Sequence, residues 1–160
     1  MGQTSYPVAI KLPGGPMISD GSRVTKDFGI LNRYEVAQTG EKIAIIGLGT
    51  FFELAKEVAK LLKEEAGINA TVINPYYITG LDEALLTKLK QDHDTVITLE
   101  DGILDGGFGE KIARFYGASN MKVLNYGLKK EFLDRYDVDA VLKDNHLTAE
   151  QIVEDVLSIL

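Results

Sequence analysis

The chain has 160 residues, 45% hydrophobic and 26% charged, the balance of a soluble globular protein with enough apolar mass for a single core. Its formal net charge of -7 argues against broad binding to nucleic acid or anionic membranes. With no cysteine there is no disulfide, thiolate metal site or cysteine nucleophile, and His93 and His146 lack the spacing of a zinc motif.

Met1 to Ser5 reads as a ragged end. Tyr6 to Leu12 is a strand candidate stopped by Pro13-Gly14-Gly15-Pro16, and residues 17–32 read mostly as loop. Arg33 to Ala37 suggests a short edge strand before a turn at Thr39-Gly40. Residues 1–40 are therefore expected to form an N-terminal extension, a short strand and loop leading in from an upstream domain, with residues 41–160 as the main domain. Lys42 to Ile46 predicts a buried strand, followed by the turn Gly47-Leu48-Gly49-Thr50. Phe51, Leu54, Ala55, Val58, Leu61 and Leu62 recur at helical spacing until Gly67, with Thr50 and Glu53 spaced as a capping box.

Asn69 to Ile73 predicts the next strand, then the loop from Asn74 to Gly80 and a helix with Leu81, Leu85 and Leu89 on one face. Thr95 to Leu99 is short, apolar and partly β-branched, as a buried strand should be. Glu100 and Asp101 stand at its carboxyl end, and Asp105-Gly106-Gly107-Phe108-Gly109 turns into a helix bearing Ile112, Ala113, Phe115 and Tyr116. Met121 to Asn125 is a further strand, leading to a short irregular helix around Lys130 to Tyr136. Thr148 and Gln151 fit a capping box and Leu147 with Ile152 a hydrophobic staple, opening a last helix that buries Ile152, Val153, Val156, Ile159 and Leu160.

Strand and helix alternate from residue 42 onward, which predicts a mostly parallel sheet with helices on both faces. In such a sheet ligands and partners gather at the carboxyl ends of the strands. That rule selects Tyr76, Tyr77, Glu100, Asp101, Asp105, Gly106 and Gly107 as substrate-channel or interface candidates. The glycine-rich turn could offer backbone N–H groups to an anion or let a neighbouring backbone approach closely. Glu100 and Asp101 resemble an acid/base pair, but strand-end carboxylates commonly cap helices or accept interface hydrogen bonds. Tyr76 and Tyr77 suit a ligand or, more simply, a subunit interface. Gly47-Leu48-Gly49 lacks the third glycine of a dinucleotide fingerprint, Phe52 standing there, and reads as a tight turn. His93 and His146 read as turn residues facing solvent. No nucleophile signature, signal peptide or membrane-spanning run is present, so a cytoplasmic protein is the default expectation. The residues alone give an α/β domain with no self-contained active site.

The order of these motifs resembles the C-terminal domain of the thiamine-diphosphate-dependent transketolase family, most of all its 1-deoxy-D-xylulose-5-phosphate synthase branch. The likeness is carried by Pro7 to Gly15, by Ile43 to Thr50, and by Ala70 to Asn74 with Leu81 to Leu85. It continues through Thr98 to Asp101 with Gly106 to Gly109, and through Val123 to Leu128. It implies a three-layer α/β/α sandwich whose five-stranded sheet is mostly parallel with one antiparallel strand, and makes residues 41–160 the transketolase C-terminal-like domain. It implies a parent enzyme that moves a two-carbon unit from pyruvate or a ketose to an aldehyde acceptor, in the synthase as a step towards isoprenoid precursors.

The family binds thiamine diphosphate and Mg through a Gly-Asp-Gly motif of an earlier domain, which this sequence lacks. This chain is thus expected to hold no cofactor alone and to depend on upstream cofactor-binding domains or a separate subunit, in a homodimeric parent. It reads either as the last third of such an enzyme, lining its dimer interface and substrate channel, or as a non-catalytic subunit docking on a cofactor-binding one. Two positions depart from the synthase pattern. Aligning on Leu81-Asp82 puts Tyr76 where the synthase has an arginine that helps bind the acceptor's phosphate, and Gly14 stands at the second arginine of the family's Arg-Tyr-Pro-Arg-Gly segment. Those departures imply weak phosphate binding and another aldose or keto-acid substrate.

Overall fold

The computed structural model describes residues 9–10, 29–132 and 134–160. The strand expected over Tyr6 to Leu12 lies outside the described residues except for Ala9 and Ile10, which are in neither helix nor strand. The chain separates into a unit over residues 1–31 and a compact unit over Asn32–Leu160. Among the described residues, every helix and strand belongs to the second unit.

Its elements are β1 (Glu35–Gln38), β2 (Lys42–Gly47), α1 (Phe51–Ala66), β3 (Thr71–Asn74), α2 (Glu83–Leu89), β4 (His93–Ile103), α3 (Phe108–Tyr116), β5 (Lys122–Leu128), α4 (Val138–Asp144) and α5 (Ala149–Ile159). The five strands form one sheet in the order β1-β3-β2-β4-β5. β3, β2, β4 and β5 run parallel, and β1 pairs antiparallel with β3 at the edge. β1 comes from the stretch read as an extension, and its pairing makes it a strand of this sheet.

Alternation along each strand sends side chains to two separate cores. On one face Ile43, Ile45, Ile97 and Leu99 pack against Val58 and Leu62 of α1 and Ile152, Val153 and Val156 of α5. On the other, Ala44, Ile46 and Val96 meet Leu86 and Leu89 of α2 and Phe108, Ile112 and Tyr116 of α3. The three-layer α/β/α arrangement, mostly parallel with one antiparallel strand, follows from this division. Among the described residues no helix is long and apolar enough to cross a membrane.

The helix ends depart from expectation in several places. Thr50 is helical in backbone and makes no side-chain cap bond. The N–H groups of Phe51 and Phe52 are met by the carbonyls of Leu48 and Gly49, so the tight turn itself replaces the expected box. α2 buries Leu86 and Leu89, with Leu85 only partly covered, because it starts after the Asp82 cap and presents a face rotated from the expected Leu81-Leu85-Leu89 row. Asp82 serves two elements: one carboxylate oxygen caps Leu85 N at 3.0 Å and the other accepts from Tyr34 N at 3.0 Å.

Among the described residues of 130–136 none is helical; α4 begins after Asp137, whose carboxylate accepts from Ala140 N at 2.9 Å. Arg135, with φ of 50°, has left the helical region. The Thr148 cap is present, accepting from Gln151 N at 3.3 Å, but the Gln151 side chain meets the Thr148 hydroxyl and the Lys143 carbonyl instead of the cap's own N–H. Leu147 and Ile152 are both buried in one cluster, as a staple requires.

His93 corrects a second expectation. It is the first residue of β4 and only 8% exposed. Its ring bridges Thr71 Oγ1 at 2.8 Å and Asp92 Oδ1 at 2.6 Å, and Thr71 in turn accepts from Gly40 N at 2.9 Å. Both ring nitrogens have partners, so burial leaves no polar atom unsatisfied. His146 does face solvent, 3.3 Å from Asp155.

Ile97 has no exposed surface in the middle of β4. Replacing it with Ala should cost about 2–5 kcal/mol, through lost burial and the cavity left behind. Urea unfolding of the chain followed by circular dichroism should show that loss as a lower midpoint with little change in slope.

Candidate functional site

The parallel strands β2, β3, β4 and β5 all end on one edge, which gathers the residues singled out from the sequence. Glu100 stands near the end of β4 and is 4% exposed. One carboxylate oxygen accepts from Phe108 N at 2.8 Å and the other from Gly109 N at 2.9 Å. A buried carboxylate is costly unless such bonds hold it, and the first turn of a helix supplies both unsatisfied donors and a favourable dipole.

The glycines of the turn follow from that contact. A Cβ at Gly107 would lie 2.6 Å from each Glu100 oxygen, and one at Gly109 would lie 2.6 Å from Thr98 Oγ1 and 2.8 Å from Asn125 Oδ1. Gly106 has φ of 72°, where side chains are disfavoured. The turn therefore holds an anion, as its glycine-rich pattern allowed, but the anion is this chain's own side chain. Asp105 and Gly106 stay exposed at the tip.

Adjacent residues of a strand face opposite layers, and this separates the two carboxylates. Glu100 points to the layer of α3. Asp101 lines a cleft of about 170 Å³ on the other side, with Phe51, Leu128, Tyr136, Val138, Val141 and Leu142. They cannot act as an acid/base pair on one substrate atom. Among the described residues no group of three or more His, Cys, Asp or Glu side chains is placed to hold a metal ion. With both oxygens of Glu100 bonded to α3, the donors of this edge do not by themselves fit a metal-bound diphosphate.

The loop after β3 forms a third neighbourhood. Tyr76 is 38% exposed with φ of 57°, its N–H donating to Asn74 Oδ1 at 3.2 Å. Its hydroxyl donates to the Glu35 carboxylate on β1. Partial burial first, then the hydrogen bond and charge of Glu35, push the phenol up to about 12. Tyr77 N donates to the Pro75 carbonyl at 2.6 Å, tightening the same turn. The Lys111 ammonium of α3 donates to Ile78 O at 2.6 Å, so this loop and the helix that follows the glycine turn are tied together. Farther in, Tyr34 donates to Gly80 O at 3.1 Å and Tyr116 to Leu86 O at 2.8 Å, and burial raises both phenols well above their ordinary range.

The structure thus brings the Tyr76–Tyr77 loop alongside α3 and leaves Asp101 in a separate cleft. The sequence reading passed over Glu35 and Lys111. Glu35 reaches Tyr76 only because β1 runs antiparallel and sets it opposite Asn74, a pairing visible in no local pattern. Lys111 looks like any surface helix lysine until its partner is known.

Residues 32–152 match the family described as Transketolase, C-terminal domain. The chain belongs to that family. This transketolase C-terminal domain is 33% identical to the 1-deoxy-D-xylulose-5-phosphate synthase of Clostridium tetani over 156 residues, which is 96% of this chain and 25% of that protein. It is 36% identical over 132 residues to the synthase of Symbiobacterium thermophilum, covering 81% of this chain and 20% of that one. The chain spans between a fifth and a quarter of the length of these curated relatives.

Among solved structures it is similar to a split-gene transketolase, solved as an inactive beta4 tetramer, with TM-score 0.71 and 27% identity over 79% of this chain and 42% of that one. A transketolase of Pichia stipitis shares the fold at TM-score 0.52 and 20% identity, over 77% of this chain and 17% of that chain.

Gly107→Ala should destabilise this transketolase C-terminal domain by about 1–3 kcal/mol, because the methyl group displaces the carboxylate from two buried N–H groups. Glu100→Gln, which replaces one acceptor with an NH2 facing a donor, should cost a similar amount. Thermal melts of the two variants and their double mutant test this; losses that add fully would mean that the glycine and the carboxylate are independent.

Proposed function

We propose that this chain is the C-terminal domain of a thiamine-diphosphate-dependent enzyme, 1-deoxy-D-xylulose-5-phosphate synthase or a paralogue. The parent moves a two-carbon unit from pyruvate or a ketose to an aldehyde acceptor. The observation that carries this reading is the likeness to the synthase, which extends over 96% of the chain. The cofactor and its Mg belong to upstream domains, and the parent is a cytoplasmic homodimer. This domain contributes to the dimer and to one wall of the substrate channel. Tyr76, Tyr77, Asp105 and Gly106 supply surface on the rim beside α3, Asp101 supplies surface in the separate cleft beside α4, and Glu100 and Gly107 hold the turn. The domain's part is positional: it orients substrate and excludes water beside a reacting centre held elsewhere.

A second reading is supported by the likeness to the split-gene transketolase. In it, the chain is part of a separately encoded, non-catalytic subunit that docks on a cofactor-binding one.

An immunoblot of the source cell with an antibody against this domain separates the two. The first reading expects a band several times heavier than 17.6 kDa. That chain, purified with thiamine diphosphate and Mg, should condense pyruvate or a ketose donor with an aldehyde acceptor. A smaller band whose protein is active only after co-purifying with a partner would support the second reading. A purified chain or complex that turns over no donor–acceptor pair would overturn both.

A further inference from the structure

The tip of the glycine-rich turn carries a chemistry that the Glu100 contact does not use. Gly107 N donates to Leu104 O at 2.9 Å and Gly106 has φ of 72°, so residues 104–107 form a β-turn of the type II pattern, with glycine in its third place. In that pattern the peptide between the second and third residues stands outward. Asp105 and Gly106 are both exposed, and among the described residues neither the Asp105 carboxylate nor the Gly106 N–H has a hydrogen-bond or ionic partner. A Cβ placed on Gly106 would meet nothing within 4 Å. One backbone bond closes the turn, and glycine accepts either sign of φ, so the Asp105–Gly106 peptide plane can flip without opening the sheet. The flip carries Gly106 N past the carboxyl carbon of Asp105, the approach that ring closure needs.

We propose that Asp105 is a self-modification site, where the turn converts aspartate to isoaspartate and thereby loosens the Glu100 clamp. Gly106 N attacks Cγ of Asp105 in its carboxylic acid form and closes a succinimide ring; the acid's hydroxyl and the amide's proton leave together as water. Water then reopens the ring. Addition at Cγ breaks its bond to Gly106 N and restores aspartate. Addition at the former main-chain carbonyl breaks that carbon's bond to nitrogen and leaves isoaspartate, with the chain now running through Cβ and Cγ. The backbone is then longer by a carbon just before Gly107, where amides must reach Glu100 and a Cβ has no room. The sequence holds two other Asp-Gly steps, of which Asp20-Gly21 lies outside the described residues. Asp101-Gly102 lies within β4, between the residues that pair with Tyr126 and Leu128 of β5, and Asp101 already holds a partner. Turning that peptide plane means opening the strand.

The test ages the native protein that carries this chain at neutral pH and growth temperature, and maps it by mass spectrometry with fragmentation that separates isoaspartate from aspartate. Isoaspartate should collect at residue 105 about tenfold faster than at residue 101, since the tip opens locally and the strand does not. In urea the two rates should become alike. Asp105→Glu, which keeps the charge but would have to close a larger ring, should lose the conversion. Aged protein separated from fresh should melt about 2–4 °C lower, and amide exchange at Phe108 and Gly109 should quicken. No isoaspartate at residue 105, equal rates at 105 and 101 in the folded protein, or a ratio that survives in urea would overturn the site. Conversion with unchanged melting and unchanged exchange would overturn the loosening of the clamp.

Discussion

The carboxyl edge depends on one buried carboxylate. Glu100 joins the end of β4 to the first turn of α3 through two N–H bonds of 2.8 and 2.9 Å. The chain must bring backbone amides, and no side chain, up to those oxygens. Hence Gly107 has no room for a Cβ, and Gly109 must slip between Thr98 and Asn125. Once α3 is fixed, Ile112 and Tyr116 enter the core, and Tyr116 ties α2 through the Leu86 carbonyl. Lys111 carries the constraint to the loop after β3. A charge that would be costly in isolation is thus what fixes the turn, the helix and the loop in one arrangement.

The same carboxylate narrows what the edge can do. A glycine-rich turn before a helix is an invitation to an external anion, but here the donors are already taken. Asp101, one residue on, is sent through the sheet to a cleft lined mainly by aromatic and aliphatic side chains. What remains for an outside ligand is the rim: Asp105 and Gly106 at the turn, and the tyrosine loop beside α3. Such an edge can shape and select a ligand, and its two strand-end carboxylates do not meet as an acid/base pair.

Much of the fold was legible in the chain. The apolar runs at Lys42 to Ile46 and Thr95 to Leu99, the Gly67 stop and the Thr148 cap are local signals, and each stands where expected. The failures share a cause. Thr50 has the chemistry of a cap, yet its backbone is already helical and the carbonyls of Leu48 and Gly49 meet the N–H groups of Phe51 and Phe52. His93 looks polar and loop-like in Gln-Asp-His-Asp, and is buried because Thr71 lies across from it on another strand. The residues 130–136 carry an apolar spacing, but α4 buries no residue fully and its start is decided by Asp137. At the site, the candidates were placed by their strand ends. That Glu100 faces inward and Glu35 reaches Tyr76 depends on pairings between distant segments.

The edge strand β1 has four residues, all exposed, and its register slips between Val36 and Gln38. Short, irregular strands are poor templates, since a newcomer finds no regular row of free N–H and C=O groups to join. Behind β1 lies β3, Thr-Val-Ile-Asn, β-branched and apolar at its centre, the kind of segment that recruits a copy of itself when uncovered. Gln38 fastens the cover by donating to the Ala70 carbonyl at 2.8 Å. β1 thus covers the β3 edge against edge-to-edge pairing with another chain. A truncation that removed it would leave the parallel core with β3 as an open edge, a template for edge-to-edge pairing with a second copy.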